Sequence, residues 1–448
     1  MKPKQCRLLW LILSTLCLLM ACQPTPEAEP VIGRGQTPVF ETANGAYPAE
    51  TLPAERLQYT KDRNGLKLIV DAEVVLPDTA QYAIAEVTKR SFQREDFEQM
   101  LRTLVPNAGT LYSRLMDSRQ ELMTWIVALE EENNEENEPL LAQLRKQMEQ
   151  APDGTQAVLQ DVFQWDQAVA GKRFYAYGKD AADVPYSVSG IPAGCAFSYS
   201  RNARLTPLPQ FAYEESEPRY RWFQAEPAIA EQDAREIAEE LLDRMGIGDM
   251  ALAESWRMCA FAPYSIGAPV SNGWWFIFTR TCHGLPSYYV DGAELWDTGE
   301  LPAAGAPWEK ELLFLTVDQN GVLSFDWRGA GRQTGIVSEN AALLPFEEIL
   351  ERVEKQLMYR HLPYAAEHAG VELHIHTIRL GTALVNLADT QDTGWSIPAW
   401  DICYDLCEQV DQGQVSDPHV LTLNALDGSY IEPRITMSTI SEYGAGTG

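Results

Sequence analysis

Between residues 230 and 431 the chain follows one order of secondary-structure elements twice. An amphipathic helix predicted over 230–245 precedes strands that close on the Asn320-Gly321 turn, a strong hairpin signal. A second helix, predicted over 346–359, precedes strands that close on the Asp427-Gly428 turn. The two helices start about 115 residues apart, and the two turn glycines are 107 residues apart. Such nearly equal spacing indicates duplication, although hairpin turns of this kind are common enough to recur by coincidence.

The repeat sets the expected domain layout. We expect two helix-plus-antiparallel-sheet modules, over 227–335 and 336–435. Before them, residues 55–226 mix short apolar strands with helices that begin after Ser91 and Ser118. The sequence therefore predicts an α+β protein, in which an N-terminal α+β domain is followed by the two modules.

The second unit carries a resemblance to a known family. The strand Trp395–Ile402 has a central aromatic pattern, and Leu421–Ile431 reads apolar-x-Ala-x-x-Gly-x-apolar. Together they resemble the end of a PepSY-type module, with the similarity clearest over Asn424–Ile431. Two PepSY-like modules behind a tether are similar in layout to extracytoplasmic regulators of Gram-positive sensor kinases and to uncharacterised clostridial lipoproteins. The resemblance implies a fold and a binding role, and it brings no catalytic residues.

The N-terminal segment indicates where the protein works. Basic residues precede the apolar run 8–20, which is typical of a signal peptide over residues 1–21. The run is too short to span a bilayer, which needs about 20 residues. Leu19-Met20-Ala21-Cys22 resembles the lipobox of bacterial lipoproteins, which implies a lipid (acyl chains such as palmitate) on Cys22 and an anchor on the extracytoplasmic face of the cell membrane. The alternatives are a cleaved signal with an incidental cysteine or an uncleaved anchor.

The segments beside the folded part are polar and lack an apolar period. Residues 22–54, rich in Pro, Ala, Glu, Thr and Gly, predict a flexible tether, and 436–448 a disordered tail. The formal charge is −29, and removal of residues 1–21 takes away three positive charges and brings it to −32. Such a chain is repelled by nucleic acid and by anionic lipid. We therefore expect no nucleic-acid partner, and a membrane contact through the N-terminal lipid alone.

Cysteines and histidines are the candidate structural and metal-binding groups. Of the five cysteines that remain after Cys22, Cys259 and Cys282 lie on neighbouring predicted strands and can form a disulfide, which the sequence leaves open. His374 and His376 share one face of a predicted strand, as metal ligands do, but exposed histidines on a half-buried strand explain the pattern equally well. We predict no metal site and no cofactor.

Tryptophans are the candidate binding residues. Trp275, Trp395 and Trp400 lie on predicted strands, where an exposed ring can stack a sugar or anchor a peptide. Core packing is the alternative for each of them.

Catalytic motifs are missing from the sequence. It contains no Gly-x-Ser-x-Gly, no His-Glu-x-x-His, no phosphate-binding loop and no Gly-x-Gly-x-x-Gly. We therefore expect a protein that is not an enzyme and that acts as a binding or regulatory module for a membrane-protein ectodomain or another envelope component. The alternatives are a substrate-capture lipoprotein for a peptide or oligosaccharide and a cryptic hydrolase.

Overall fold

The computed structural model describes residues 53–431, apart from residues 64, 80, 132–133, 135–136, 155–156, 167–172, 193–195, 211–219, 264–267, 290–310, 369, 387–391 and 411–412. Nineteen strands and six helices are formed by these described residues. The strands are β1 (Arg56–Arg63), β2 (Leu66–Val75), β3 (Ile84–Lys89), β4 (Tyr112–Met116), β5 (Val158–Val162), β6 (Phe174–Lys179), β7 (Pro185–Ile191), β8 (Ala196–Ser200), β9 (Thr206–Pro209), β10 (Met250–Phe261), β11 (Ser271–Cys282), β12 (Leu285–Pro286), β13 (Leu312–Asp318), β14 (Gly321–Arg328), β15 (Gly331–Ser338), β16 (Glu372–Asn386), β17 (Thr393–Val410), β18 (Gly413–Asn424) and β19 (Tyr430–Ile431). The helices are α1 (Arg94–Leu104), α2 (Arg119–Glu131), α3 (Glu138–Gln150), α4 (Tyr220–Phe223), α5 (Glu231–Met245) and α6 (Phe346–Glu367).

The first sheet has eight strands and joins the two ends of the chain. Its main order is β1-β2-β16-β17-β18-β19, and β3 pairs with both β17 and β15. The pairs are antiparallel except that β2 runs parallel to β16, where Lys67 lies opposite Glu372. Helix α6 packs on this sheet because Ile349, Val353 and Leu357 form one apolar stripe that is buried against it.

The second sheet has eleven strands from the middle of the chain. Its order is β5-β4-β6-β7-β8-β14-β13-β11-β10-β9, with β12 paired to β11. Helices α1 and α5 cover one face, where Phe97 and Leu241 meet the sheet residues Phe276 and Phe325 in one buried cluster. Gly246 ends α5 with a left-handed φ of 66°, the usual conformation of a helix-terminating glycine.

The predicted layout of an N-terminal α+β domain followed by two helix-plus-sheet modules is wrong. The structure is mostly β, with two large sheets and few helices. Strands β2 and β3 pair with β15–β17, and strands β4–β9 complete the sheet of β10–β14, so both sheets take strands from both sides of residue 227. The physical reason is that apolar alternation predicts a strand but not its partner.

Candidate functional site

A cavity of about 500 Å³ opens between two helices and two turns of the eleven-stranded sheet. The C-terminal end of α1 and one face of α5 form one side. The β6–β7 turn near Asp180 and the β13–β14 turn near Asn320 form the other. We call this cavity the helix–turn cleft. A concave site of this size with a few polar groups is the usual form of a small-ligand site.

Two aspartates hold the turns at the rim of the cleft. The Asp180 carboxylate accepts hydrogen bonds of 2.9 Å from the backbone N–H groups of both Ala182 and Val184. Asp318 accepts a bond of 2.7 Å from the N–H of Asn320, and Gly321 follows with a φ of 101°. Aspartates that bond to nearby backbone, and glycines at positive φ, are typical of tight turns. The local sequence therefore defines the shape of the rim.

Two arginines join the elements of the cleft. Arg201 donates a hydrogen bond of 3.0 Å to the carbonyl oxygen of Asn320, and its Nε lies 3.4 Å from the Asp180 carboxylate. Arg244 on α5 donates a bond of 2.8 Å to the carbonyl oxygen of Thr103 near the end of α1. A helix C-terminus carries partial negative charge, so a cation is favoured there. Arg201 thus links the two turns, and Arg244 links the two helices.

Charges of both signs surround the cleft. Arg201 and Arg244 are balanced by Asp180 and Glu240, so the lining is neutral in a chain whose net charge is −29. Glu240 and Arg244 are exposed, whereas Asp180 and Arg201 are half-buried. A ligand group of either sign can therefore form an ion pair with a side chain of the cleft.

The floor of the cleft is apolar. It contains Leu104, Ile237, Leu241 and Val322, together with the buried ring of Tyr199. Burial raises the pKa of Tyr199, since the phenolate would be poorly solvated there, so the ring remains neutral. Among the described residues, the lining includes no serine, cysteine, histidine or lysine. Its groups are suited to binding and orienting a ligand.

The three candidate tryptophans lie outside the helix–turn cleft. Trp395 is 6 % exposed and Trp400 is 2 % exposed, with the Trp400 ring 4.8 Å from that of Phe346 between centroids. Trp275 is half-buried and meets Phe314 edge to face at 6.2 Å. Trp395 and Trp400 therefore lie in the core, and Trp275 has the only partly open ring of the three.

The histidine pair is separated by a bulge. The register of β16 shifts between Ile375 and Thr377 in its pairing with both neighbours, so His376 is an extra residue without a partner in the ladder. His374 Nε2 lies 2.9 Å from a Glu372 oxygen, and His376 is exposed. In the part of the chain that the structure describes, no group of three or more His, Cys, Asp or Glu is placed to hold a metal ion.

The thiols of Cys259 and Cys282 are buried and free. Cys259 lies opposite Asn272, whereas Cys282 pairs with Leu285, ten residues farther along β11. The two strands are neighbours, as predicted, but the two side chains lie near opposite ends of the pairing. Burial raises the pKa of Cys259 to about 11.

The lipid-attachment prediction at Cys22 falls on residues outside those the structure describes, as do the signal peptide, the tether up to residue 52 and the C-terminal tail. Within the described ranges, no helix combines the length and the apolar character needed to cross a bilayer.

Sequence reasoning missed the four charged residues of the cleft. Arg201 and Asp180 come from different hairpins, and Glu240 and Arg244 occupy an exposed helix face of ordinary appearance. The Asn320-Gly321 turn at the rim could be predicted from the sequence. The side chains that this turn lies near in the folded protein could not be predicted from it.

No family model and no curated protein sequence matches the chain. Solved structures that are similar to it include two that are each 10 % identical. A crystal structure of an uncharacterized protein from Eubacterium rectale is 10 % identical with a TM-score of 0.48, and the match covers 86 % of this chain and 97 % of the other. The Bacillus megaterium YpeB C-terminal domain is 10 % identical with a TM-score of 0.27, and the match covers 77 % of this chain and 97 % of that domain.

The PepSY resemblance rests on the sequence pattern, since no family model matches the chain. Because both TM-scores are below 0.5, we base no argument about function on either structure.

Proposed function

We propose that this chain is a binding protein, without catalytic activity, on the extracytoplasmic face of the cell membrane, held there by lipid on Cys22. Its helix–turn cleft binds the end of a short peptide or of an envelope protein, where a free charged terminus lies beside an apolar side chain. The observation that carries this proposal is the neutral cleft itself: Arg201 and Arg244 with Asp180 and Glu240 around an apolar floor.

The charge pattern favours a ligand with a charged group of its own. A free carboxylate can pair with Arg244 and a free amine with Glu240, both of which are exposed on α5. An apolar side chain of the ligand then covers Ile237 and Leu241. A charge-assisted hydrogen bond is about twice as strong as a neutral one. The cleft should therefore bind a peptide with a charged end more tightly than the same peptide with a capped end.

Calorimetric titration of the full chain with short apolar peptides tests the proposal. Peptides with free termini are compared with the same peptides acetylated and amidated at their ends. We expect binding of the free peptides only, weakened about tenfold in Arg244→Gln for a bound carboxylate end or in Glu240→Gln for a bound amine end, as for a lost charge-assisted bond.

Arg235→Gln is the matched control. Arg235 lies on the same helix and pairs with Glu239 at 2.7 Å, outside the cleft lining. Equal binding of free and capped peptides, or an equal loss in Arg235→Gln, would exclude recognition by the cleft charges.

A further inference from the structure

A second surface lies on the opposite face of the eleven-stranded sheet. In β6, Phe174 and Ala176 point into the core beneath the helices, so Tyr175 and Tyr177 point outward. Directly opposite residues of antiparallel strands share a face. The paired strands β6, β7, β8 and β14 therefore continue this outward surface.

The register of these strands aligns two rows of polar side chains. The first row is Tyr177, Ser187, Ser200 and Ser324, and the second is Tyr175, Ser189, Ser198 and Asp326. We call these eight residues the hydroxyl face. Since neighbouring strands lie about 4.8 Å apart, each row spans about 14 Å. That length accommodates several pyranose rings laid across the strands.

Two serines at the centre of the hydroxyl face have hydroxyl groups that are available to bond to a ligand. Ser187 and Ser189 on β7 are half-buried, and neither hydroxyl bonds to another side chain or backbone group that the structure describes. At the side of the face, Ser198 donates a bond of 2.6 Å to Asp326, so that position is already fixed. A hydroxyl both donates and accepts hydrogen bonds, which matches the hydroxyls of a sugar.

Tyr175 supplies an aromatic platform beside these serines. Tyr175 is 53 % exposed. Arg173 donates a hydrogen bond of 3.2 Å to the Tyr175 hydroxyl, and this bond restrains the ring. An exposed aromatic ring offers an apolar face with a polar edge, the surface on which the C–H face of a pyranose stacks.

The hydroxyl face is nearly uncharged although the chain carries −29. Asp326 is its one charged member, and this carboxylate is paired with Arg328, whose Nε donates at 2.7 Å. Apart from the Arg173 cation beside the Tyr175 ring, this surface offers no charge to an ionic ligand. It favours a ligand that is polar and neutral.

A peptide fits this face less well than a sugar does. Peptides recognised by a sheet usually add to an edge strand through backbone hydrogen bonds. Strands β7 and β8 are interior, and each is paired on both sides, so their backbone groups are already used. Only side chains remain to contact a ligand that lies across the face.

We propose that the hydroxyl face binds a neutral oligosaccharide, with one pyranose ring stacked on Tyr175 and sugar hydroxyls bonded to Ser187 and Ser189. This site lies on the other side of the sheet from the helix–turn cleft, so the proposal goes beyond the peptide-binding function and does not depend on it.

The test is titration of the full chain with three uncharged tetrasaccharides: cellotetraose, maltotetraose and the tetramer of N-acetylglucosamine. We expect at least one to bind with a dissociation constant between micromolar and millimolar. Tyr175→Ala weakens that binding about 3- to 10-fold through the lost stacking. Ser189→Val, which suits a strand and keeps the fold, weakens it about fivefold.

Tyr359→Ala is the matched control, because Tyr359 is 49 % exposed on α6, far along the chain and in the other sheet's layer. This variant and the cleft variant Arg244→Gln should bind the sugar as the wild type does. The proposal is overturned if none of the three sugars binds at millimolar concentration, or if Tyr175→Ala and Ser189→Val bind as tightly as the wild type. Loss of peptide binding with retained sugar binding, or the reverse, separates the two proposals.

Discussion

The imidazole Nε2 of His361 lies 2.8 Å from the hydroxyl oxygen of Tyr404, inside the core between α6 and the eight-stranded sheet. The His361 ring also packs against His419 with centroids 5.8 Å apart, and His419 stacks on Tyr404 at 5.3 Å. Arg360 lies beside this group and bonds to Tyr430. The groups that face His361 from α6, β17 and β18 are thus a cation, a phenol and a second histidine.

We predict a pH dependence of stability from His361. Burial first, then His419 and Arg360, lowers its pKa to about 4, whereas an unfolded histidine titrates near 6.5. The folded state therefore binds fewer protons, and stability that is complete above pH 6.5 is lost as the pH falls toward 4, by about 3 kcal/mol. Urea unfolding between pH 7 and pH 4.5 measures the effect.

His361→Gln should reduce this pH dependence, since it removes the titrating group. His376→Gln, at an exposed histidine, should leave it unchanged. An identical pH dependence in His361→Gln and the wild type would show that another group is responsible.

A buried ion pair in the eleven-stranded sheet predicts a large loss of stability. Glu311 is 9 % exposed and accepts two bonds from Arg280, one of them at 2.8 Å, and a third from the Trp327 indole at 2.9 Å. Glu311→Ala leaves the Arg280 cation buried without this partner. We expect the free energy of unfolding to fall by about 3–5 kcal/mol in chemical denaturation.

The exposed pair Arg56–Asp71 provides the comparison. Its side chains are 61 % and 50 % exposed, and Asp71→Ala should cost less than about 1 kcal/mol. Equal losses for Asp71→Ala and Glu311→Ala would contradict the burial argument.

Close packing between the two sheets makes Gly381 sensitive to substitution. A Cβ atom at this position would overlap the carbonyl oxygen of Pro286 and lie 2.8 Å from Cε2 of the Tyr288 ring. Gly381→Ala should therefore lower the free energy of unfolding by about 1–3 kcal/mol, as overpacking does. Gly335→Ala, with open space around its Cβ position, should change it little. Thermal unfolding of both variants tests this prediction. A loss of stability as large in Gly335→Ala as in Gly381→Ala would contradict the steric explanation.

Membrane attachment is expected to depend on Cys22. Metabolic labelling with palmitate should mark the wild type and leave Cys22→Ser unlabelled, since the thiol that takes the lipid is gone. Cys17→Ser is the control, because this cysteine lies within the segment that the signal-peptide prediction removes. Label in Cys22→Ser equal to that in the wild type would reject the lipobox interpretation.

Local structure was largely predictable from the sequence. The predicted strands on either side of Asn320-Gly321 are confirmed within one residue by β13 and β14, and the helix predicted over 230–245 is α5. These elements depend on turn chemistry and helical periodicity, which are local properties. By contrast, the aromatic run at 220–223 predicts a strand from the sequence, whereas the structure forms the short helix α4 there, since four residues carry too little periodicity to separate a strand from a helix.

Two longer elements differ from their predicted bounds because each continues through a proline or a glycine. Helix α6 extends to Glu367, beyond the predicted end at residue 359, and contains Pro363. The apolar patterns over 371–379 and 382–387 predict two strands from the sequence, but the structure forms one strand there, β16, which passes through Gly381. Tertiary packing overrides local propensity at these points.

The candidate site could not be predicted from the sequence because its residues are distant in the chain. Arg201 and Arg244 meet at one cleft only because α5 packs on the face of a sheet that contains β8. Tryptophan is a residue type that often binds ligands, but whether each of these rings is buried depends on the pairing of the strands, which the sequence did not predict.

The parallel pair β2–β16 has a consequence for the order of folding. Lys67 and Glu372 are partners 305 residues apart. A chain synthesised from its N-terminus must keep one edge of the β1–β2 hairpin and both edges of β3 unpaired until most of the remaining sequence has emerged, which exposes apolar edges to aggregation. Any product that stops before β16 lacks the centre of the eight-stranded sheet, so this protein cannot reach its fold by adding one finished domain after another.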